Sequence, residues 1–523
     1  MRDIHPSKEK SKADPRAVWC LTATLLVSVA GLIYELVAAT ASSYLLGDSI
    51  KQFSFVTGIF LASMGAGAWL SRFVRDPLMG FIGVQTTLAI VGALLAPLAF
   101  VAFGYKLDPG IPIYLGLIMI GALSGMEIPL LTRVLEDMLD EGFHLENVLS
   151  ADYIGALVAA IAFPILLVPN LGLVNAGIAF GILNFCVACA SAWVFRNDFE
   201  QHQRKIMTYR LSLAALMLLT ITLVSPGAVA RADAALFQDR IIFSEQTPFQ
   251  EIVVTQERGR TRLLLDRAIQ FDTRDEARYH EMLVHPAMAR AASHQNIVIF
   301  GGGDGLAARE ILKYPDVGTV TLVDIDPRLP ELFRDIPSLS KLNSGALKDP
   351  RIKVISKDAW VFLSDDTGDL YDVAILDLPD PKNLSLARLY SVEFYRMLRG
   401  RMSANGIVSV QSGSPIFTPD AFWSIGNAVR EGFARNAGPQ PVYDSAHISV
   451  PSFGEWGFHY ASLGAVGQGM LALPKTVEHI DHASWIAAQT FPPSSAHRDV
   501  EANRLQTMPL VRFYIEGWED WYK

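Results

Sequence analysis

The sequence predicts a multi-pass α-helical membrane domain of about seven helices, followed by an α/β domain that a small β-hairpin region precedes. Long apolar stretches dominate the chain before residue 227, and charged residues recur at ordinary globular density after it. In this second part, apolar strand-like runs alternate with helical segments, as in a mostly parallel sheet covered by helices. We therefore expect a membrane domain at 1–230, a β region at 231–275 and an α/β domain at 276–523.

Composition limits the possible functions. The 523 residues are 51% hydrophobic, with a mean hydropathy of +0.28, which is too apolar for an ordinary soluble protein. The net charge of −9 gives no basic field that would attract nucleic acid, so no nucleic-acid partner is expected. Cys20, Cys186 and Cys189 all lie in apolar segments, so the second part has neither a disulfide framework nor a cysteine zinc site. We interpret Cys186 and Cys189 as packing residues and expect no metal.

Seven apolar stretches are long enough to cross a bilayer. They are 17–38, 53–73, 79–103, 111–131, 150–168, 171–195 and 211–226. The N-terminal tail and the loops after the second, fourth and sixth stretches hold twelve Lys and Arg residues, whereas the alternate loops hold two. This asymmetry predicts a cytoplasmic N-terminus. Glu35 and Glu127 lie within the stretches; Glu127 is near a helix end, and we expect Glu35 to be the deeper and more functional carboxylate.

A glycine-rich turn follows the first buried strand of the α/β domain. Residues 297–300 read as that strand, Gly301, Gly302 and Gly303 as the turn, and a helix begins near Leu306. A second strand at 320–323 ends in Asp324. Glycines let the backbone approach a nucleoside, and an acid at the second strand tip can bind ribose hydroxyls. The alternative is a tight turn that binds no ligand. The presence of an acid at this distance from the turn makes that alternative the weaker interpretation.

Acidic residues recur where the predicted parallel strands end. Further strands are expected at 352–355, 373–376 and 407–410, and an amphipathic helix at 276–292 precedes the glycine turn. Ligands of such sheets bind at the carboxyl ends of the strands. The acids at these ends are Asp304, Asp324, Asp358, Asp377 and Asp380. For each acid the alternative role is a helix cap or turn residue, which aspartate often fills.

Residues 243–415 resemble the polyamine aminopropyltransferases, the spermidine and spermine synthase family. The matching segments are QFDTRDEARYHEMLVHPAM, VIFGGGDGLAAREILKYPDVGTVTLVDIDP, KDAW, YDVAILDLPDP and GIVSVQSGS. The resemblance implies a Rossmann-like, class I methyltransferase-like fold. The apolar half resembles that of bacterial multi-pass members, and the C-terminal extension with NRLQTMPLVRFYIEGW looks particular to that branch.

The resemblance implies transfer of an aminopropyl group from decarboxylated S-adenosylmethionine, a cosubstrate, to an amine, with no prosthetic group. Putrescine is the default acceptor. A primary amine is mostly protonated at pH 7, so the reaction needs a positioned base. Asp377 matches the family's proton acceptor, and Asp380 the acid that holds the acceptor amine. Asp304 matches the acid at the donor's amine end, which would repel undecarboxylated S-adenosylmethionine, and Tyr279 and His280 line the amine channel.

Other matches concern the donor nucleoside. Asp324 takes the ribose position, Asp358 with Ala359 the position of the adenine amine, and Gln250 that of a donor-binding glutamine. Asp324 stands where glutamate is usual in the soluble family, and Ala359 where glycine is usual. The loop LPDPKN that follows Asp377 also differs from soluble members, which leaves the identity of the acceptor open.

Two other functions are compatible with the sequence. One is a methyltransferase that uses S-adenosylmethionine on a lipid or other membrane substrate, and the other is a non-catalytic polyamine sensor or transporter. We expect a multi-pass protein of the cell (inner) membrane, in contact with the lipid bilayer, that forms a homodimer. Seven full spans would place the catalytic half outside, whereas the donor is a cytoplasmic metabolite. We therefore expect 211–226 to be a re-entrant segment and the catalytic half to be cytoplasmic.

Overall fold

A computed structural model of the protein describes residues 15–47, 49–136, 145–236, 239–365, 368–464 and 471–522. The chain forms two compact units, Met1–Gln238 and Asp239–Lys523. The first is helical and the second contains both sheets. This agrees with the predicted fold class of an apolar helical region followed by a Rossmann-like α/β region.

The helical unit consists of long apolar helices. Their bounds are α1 Pro15–Leu46, α2 Ser49–Leu70, α3 Pro77–Gly104, α4 Gly110–Glu136, α5 Leu145–Ala162, α6 Val168–Val194 and α7 Gln201–Leu236, with a π-helical turn at Phe163–Leu167. Among the described residues, six helical runs are long and apolar enough to cross a membrane. Such length and composition are what a membrane-spanning region requires.

One of the six runs contains two of the predicted stretches. It extends from Glu146 to Val194, which is 49 residues. As one straight helix it would be about 74 Å long, more than twice the roughly 30 Å of a bilayer core. The run is interrupted at Gly172, whose φ of 69° and ψ of 176° are not helical. The two predicted stretches, 150–168 and 171–195, therefore correspond to separate helices on either side of this break.

Helix α7 runs beside α3 in the same direction. Near the start of both helices, Gln203 Nε2 donates a hydrogen bond to Asp76 Oδ2 at 2.9 Å. Near their ends, Gly104 lies against Ala232, so closely that an added Cβ would be 2.5 Å from the alanine Cβ. The re-entrant interpretation of 211–226 is therefore wrong, because this stretch belongs to a continuous helix of 36 residues. The cytoplasmic placement of the catalytic half is therefore no longer supported by a re-entrant segment, and it stays a prediction.

The two carboxylates of the helical unit differ in burial, whereas the prediction concerned their depth along the apolar stretches and stays a prediction. Glu127 is 4% exposed and accepts a hydrogen bond from Gln85 Nε2. Glu35 is half-buried and accepts one from Thr57 Oγ1 at 2.9 Å. Position along an apolar stretch predicts depth in a bilayer, but packing decides which side of each helix faces the bundle.

The second unit begins with a four-stranded antiparallel sheet in the order β1-β2-β3-β4. Its strands are β1 Arg240–Gln246, β2 Glu251–Glu257, β3 Arg260–Leu265 and β4 Ala268–Asp272. Apolar side chains of β2 and β3, including Ile252, Val254 and Leu263, are fully buried and join the core around the following helix. This small sheet therefore forms part of the wall of the α/β region.

A seven-stranded sheet in the order β10-β11-β9-β8-β5-β6-β7 forms the centre of this unit. The strands are β5 Asn296–Gly301, β6 Thr319–Asp324, β7 Ile352–Ser356, β8 Tyr371–Asp377, β9 Met402–Gln411, β10 Val442–Val450 and β11 Gly454–Ser462. β5 to β9 pair in parallel, whereas β10 and β11 are antiparallel. The register pairs Gly301 with Asp377, so the glycine turn lies beside the end of β8.

Helices cover both faces of this sheet. They are α8 Glu276–Met288, α9 Leu306–Ile311, α10 Arg328–Asp335, α11 Pro337–Ser340, α12 Ala359–Ser364, α13 Leu384–Ala387, α14 Val392–Gly400, α15 Pro419–Phe433, α16 His482–Ala488 and α17 Pro509–Tyr522. Separate apolar clusters bury alternate side chains of the parallel strands, Ile297 and Ile299 in one and Val298 and Phe300 in the other. Burial on both faces explains why these strands read as continuous apolar runs.

Candidate active site

A cavity of about 340 Å³ lies at the carboxyl ends of the parallel strands. This is the edge at which such sheets bind ligands. Every site residue predicted from the sequence lines it. They are Gln250, Tyr279, His280, Gly301, Gly302, Gly303, Asp304, Asp324, Asp358, Ala359, Asp377 and Asp380. The cavity thus brings together residues of the turn between β1 and β2, of α8 and of the ends of β5, β6, β7 and β8.

Asp377, the last residue of β8, lies between two side chains of α8. The Tyr279 hydroxyl donates a hydrogen bond to Asp377 Oδ1 at 2.7 Å. His280 Nε2 lies 4.0 Å from Asp377 Oδ2. Burial raises the pKa of Asp377, and the charge of His280 and the hydrogen bond from Tyr279 oppose that rise. The carboxylate is therefore held in a fixed orientation and has an increased affinity for protons.

His280 is held as a cation by acids around it. Its Nδ1 contacts Glu276 Oε2 at 2.8 Å, and Arg309 binds both oxygens of Glu276 at 2.8 and 2.9 Å. Burial alone would lower the pKa of His280, but Glu276, Asp377 and Asp304 raise it to about 9. Burial would likewise raise the pKa of Glu276, and its two partners instead lower it to about 2. This series of ion pairs therefore fixes His280 in the lining of the cavity.

Asp304 and Asp324 are buried acids beside the glycine turn. Asp304 Oδ1 accepts from the Leu306 amide at 2.9 Å, at the start of α9. Asp324 accepts from the amides of Gly303 and Asp326 at 3.1 and 2.9 Å. Burial is the main cause that raises the pKa of Asp304 to about 6 and that of Asp324 to about 7. Buried acids with raised pKa values cost stability at neutral pH and are typical of functional sites.

The glycine turn leaves room for two of these acids. A Cβ on Gly301, whose φ is +78°, would be 2.1 Å from the carbonyl oxygen of Asp377. A Cβ on Gly303 would be 2.6 Å from Asp324 Oδ2. A side chain at Gly301 would collide with the backbone at the end of β8, and one at Gly303 would displace the Asp324 carboxylate. The protein's own atoms, backbone at Gly301 and a carboxylate at Gly303, therefore require glycine here.

Two other predicted residues, Asp358 and Gln250, take part in local hydrogen bonds, and Ala359 lies next to Asp358. Asp358 caps α12 through the Val361 amide at 3.1 Å, as the cap interpretation expects, and forms an ion pair with Arg388. Ala359 is the first residue of the same helix. Gln250 Nε2 donates to Asp326 Oδ2 at 3.0 Å. All three also line the cavity, so a structural role and a position at the site occur together.

Sequence reasoning did not identify the residues around Asp380. The Tyr514 hydroxyl donates to Asp380 Oδ2 at 2.9 Å. Gln411 Nε2 lies 3.5 Å from Asp380 Oδ1, and Gln411 Oε1 accepts from Trp456 Nε1 at 3.1 Å. Burial raises the pKa of Asp380, against these hydrogen bonds. Gln411 is the last residue of β9, so its position at a strand end could have identified it from the sequence. No pattern in the sequence indicated that Trp456 or Tyr514 would lie at the site.

In the described part of the chain, no group of three or more His, Cys, Asp or Glu side chains could hold a metal ion. A Rossmann-like unit with two buried aspartates, Asp304 and Asp324, and two half-buried ones, Asp377 and Asp380, around one cavity defines a class of enzyme whose site favours positively charged ligands. Comparisons with known proteins show the family within this class, through curated relatives that match along most of the chain.

Residues 276–465 match the model of the spermine/spermidine synthase domain. The polyamine aminopropyltransferase of Leptospira interrogans is 39% identical over 498 residues, which cover 94% of this chain and 97% of the relative. Polyamine aminopropyltransferase 2 of Ralstonia nicotianae is 39% identical over 506 residues, which cover 95% and 97%. The crystal structure of spermidine synthase from Thermotoga maritima aligns with a TM-score of 0.43 at 24% identity, covering 48% of this chain and 85% of that one.

The chain belongs to the polyamine aminopropyltransferase family, the spermidine and spermine synthases, and is a transferase. The curated relatives match along both the helical unit and the α/β unit, so the helical unit is shared with them. The family uses decarboxylated S-adenosylmethionine as a cosubstrate and has no prosthetic group. The resemblance inferred from the sequence is confirmed.

Proposed function

We propose that this protein is a membrane-bound aminopropyltransferase that moves the aminopropyl group of decarboxylated S-adenosylmethionine to a small amine. Putrescine is the default acceptor, and the products are then spermidine and methylthioadenosine. The observation that carries the proposal is the position of Asp377, oriented by Tyr279 at the end of β8, in one cavity with Asp304, Asp324 and Asp380.

Each acid binds a different part of the two substrates. Asp324 binds the ribose hydroxyls, and Asp304 binds the ammonium end of the donor's aminopropyl chain. Asp380 binds the distal ammonium of the acceptor. Six aspartates line the cavity, and two of them form ion pairs there, Asp266 with Lys382 and Asp358 with Arg388. The other four face the single His280 cation, so a positively charged donor and acceptor enter a negative environment. A donor that retained its carboxylate would meet Asp304 with a like charge, which disfavours ordinary S-adenosylmethionine.

Other side chains orient the substrates. Asp358 and Ala359 lie at the adenine amine, Gln250 faces the donor, and Gly301, Gly302 and Gly303 allow the nucleoside to approach the backbone. Tyr279 and His280 line the channel along which the acceptor amine reaches the donor. None of these roles requires a metal ion.

The transfer forms one bond and breaks one. The unprotonated acceptor nitrogen attacks the carbon beside the sulfonium, the new N–C bond forms, and the C–S electron pair passes to sulfur as neutral methylthioadenosine. Asp377 accepts the proton that the amine loses. Its pKa, raised by burial, favours this acceptance. Holding amine and donor together supplies the rest of the acceleration through orientation.

The decisive experiment uses the purified full-length chain and mass spectrometry. Methylthioadenosine and an aminopropylated amine are expected only with the decarboxylated donor. Asp377→Asn should lower kcat by about 10²-fold or more, whereas Asp335→Asn, at an exposed position of α10, should not. A methylated product from S-adenosylmethionine would support a methyltransferase instead. Binding without turnover would support a sensor or transporter, and an unchanged rate in Asp377→Asn would contradict the assigned base.

The helical unit is proposed to be a multi-pass bundle in the cell (inner) membrane, in contact with lipid. It comprises residues 1–230, and the catalytic part follows as the β region 231–275 and the Rossmann-like region 276–523. Reporter fusions at Lys523 test whether the catalytic half is cytoplasmic, as the donor's source suggests. An external reporter would contradict that placement. The proposed homodimer is tested by light scattering of the detergent-solubilised chain.

A further inference from the structure

The C-terminal helix α17 contributes a side chain to the acidic cavity. Tyr514 lines that cavity and its hydroxyl donates to Asp380 Oδ2 at 2.9 Å. The family model ends at residue 465, so α17 lies beyond the matched domain. This residue therefore adds to the site from a segment to which the domain match assigns nothing.

Packing fixes the position of α17. The helix packs against α15 and α13, and Leu510 in its first turn is fully buried. Trp518 stacks on Phe417 with ring centroids 5.1 Å apart. A Cβ on Gly517 would be 2.9 Å from the Phe417 carbonyl oxygen, which shows how closely the backbones approach. Because Tyr514 lies within this packed helix, its hydroxyl is presented to Asp380 in a defined geometry.

Two tyrosines hold the acid that ends β8 and the acid three residues after it. Tyr279 binds Asp377 from α8, and Tyr514 binds Asp380 from α17. In the described part of the chain no lysine or arginine forms an ion pair with Asp380; the nearby Lys382 pairs with Asp266 at 3.6 Å. The negative charge of Asp380 is thus oriented by a neutral hydroxyl and is available to a cationic ligand.

We propose that Tyr514 is a positioning residue that determines acceptor specificity. Its hydroxyl orients Asp380 toward the distal ammonium of the acceptor, and its ring closes the cavity behind that ammonium. This rests on the proposed aminopropyl transfer. The acceptor class is then a short diamine, with one nitrogen at Asp377 and the other at Asp380. A longer polyamine would have to extend past Tyr514.

The test compares Tyr514→Phe and Tyr514→Ala with the wild type, using the decarboxylated donor and either putrescine or spermidine as acceptor. Tyr514→Phe removes only the hydroxyl. It should raise the KM for putrescine about tenfold, the effect of losing a hydrogen bond to a charged group, with kcat and the donor KM within about twofold. Tyr514→Ala also removes the ring. It should raise the ratio of kcat/KM for spermidine to that for putrescine about tenfold, as for a pocket that gains several methylenes of space.

A matched control is Tyr443→Phe, which loses a hydroxyl contact to the Arg430 carbonyl oxygen at the surface. It should leave both KM values unchanged. An active wild type with an unchanged putrescine KM in Tyr514→Phe would overturn this proposal and leave the proposed function intact. Equal increases in donor and acceptor KM would also overturn it, since they indicate general disturbance. If the wild type releases no methylthioadenosine with any amine, the proposed function fails and this inference fails with it.

Discussion

Replacement of Gly303 by alanine tests whether the glycine turn exists to admit Asp324. The φ of Gly303 lies outside the left-handed region, so alanine can adopt the backbone conformation. Its Cβ would nevertheless lie 2.6 Å from Asp324 Oδ2, where ordinary contact begins at 3.4 Å, so the carboxylate must withdraw by about 3.4 − 2.6 = 0.8 Å. That movement breaks the hydrogen bond from the Gly303 amide, now 3.1 Å long.

A hydrogen bond to a charged group contributes about 1.5–3 kcal/mol. If Asp324 binds the donor ribose, Gly303→Ala should therefore weaken donor binding by about 10- to 100-fold. Titration calorimetry with the decarboxylated donor measures the donor affinity directly. In kinetic assays the KM of the acceptor should change little. Gly400→Ala is the matched control, because a Cβ there meets no atom within 4 Å. Donor affinity within twofold of the wild type in Gly303→Ala would refute both the steric argument and the role of Asp324.

Two further predictions concern charge. Because the pKa of Asp324 is raised to about 7, its carboxylate becomes protonated as the pH falls through 7, so the affinity for the donor should rise between pH 5.5 and 8. Calorimetry should show that Asp324→Asn flattens this pH profile. A variant with the same profile as the wild type would exclude the assignment of Asp324 to the donor. Glu276→Gln leaves the His280 and Arg309 cations without their shared partner, so urea unfolding should show a loss of about 3–5 kcal/mol and the pKa of His280 should fall in NMR titration. The exposed Glu331→Gln should change neither, and a wild-type urea midpoint in Glu276→Gln would contradict the ion-pair argument.

Most of the cavity could be predicted because it is built from strand ends. In a parallel sheet the carboxyl ends meet at one edge, so Asp304, Asp324 and Asp377 are brought together by topology alone. The sequence pattern shows each strand and the acid after it, and these are local signals. Gln411 also ends a strand, yet a single glutamine is not distinctive enough to be selected.

Residues carried by packed helices gave no such local signal, and Tyr279 and His280 of α8 were predicted only through the family resemblance. The position of Tyr514 depends on how α17 packs, and the sequence of α17 shows only an aromatic-rich segment with apolar and charged residues. Glu276 was read as part of an amphipathic helix, although the fold turns it inward to His280. In the helical unit, hydropathy located the apolar stretches, but burial of Glu127 and the course of α7 depend on contacts between helices.

The buried acids at the cavity lower the stability of the folded protein. Burial raises the pKa values of Asp304, Asp324, Asp377 and Asp380, so each of these acids costs stability as the pH rises through its folded pKa. Within the described residues, His280 is the cation that compensates Asp377 and Asp304, and Glu276 already shares its charge. Positively charged ligands relieve the remaining repulsion, since they bring cations to acids that lack them. In the proposed reaction, the same unfavourable charge that lowers the stability of the fold would favour a sulfonium donor and an ammonium acceptor.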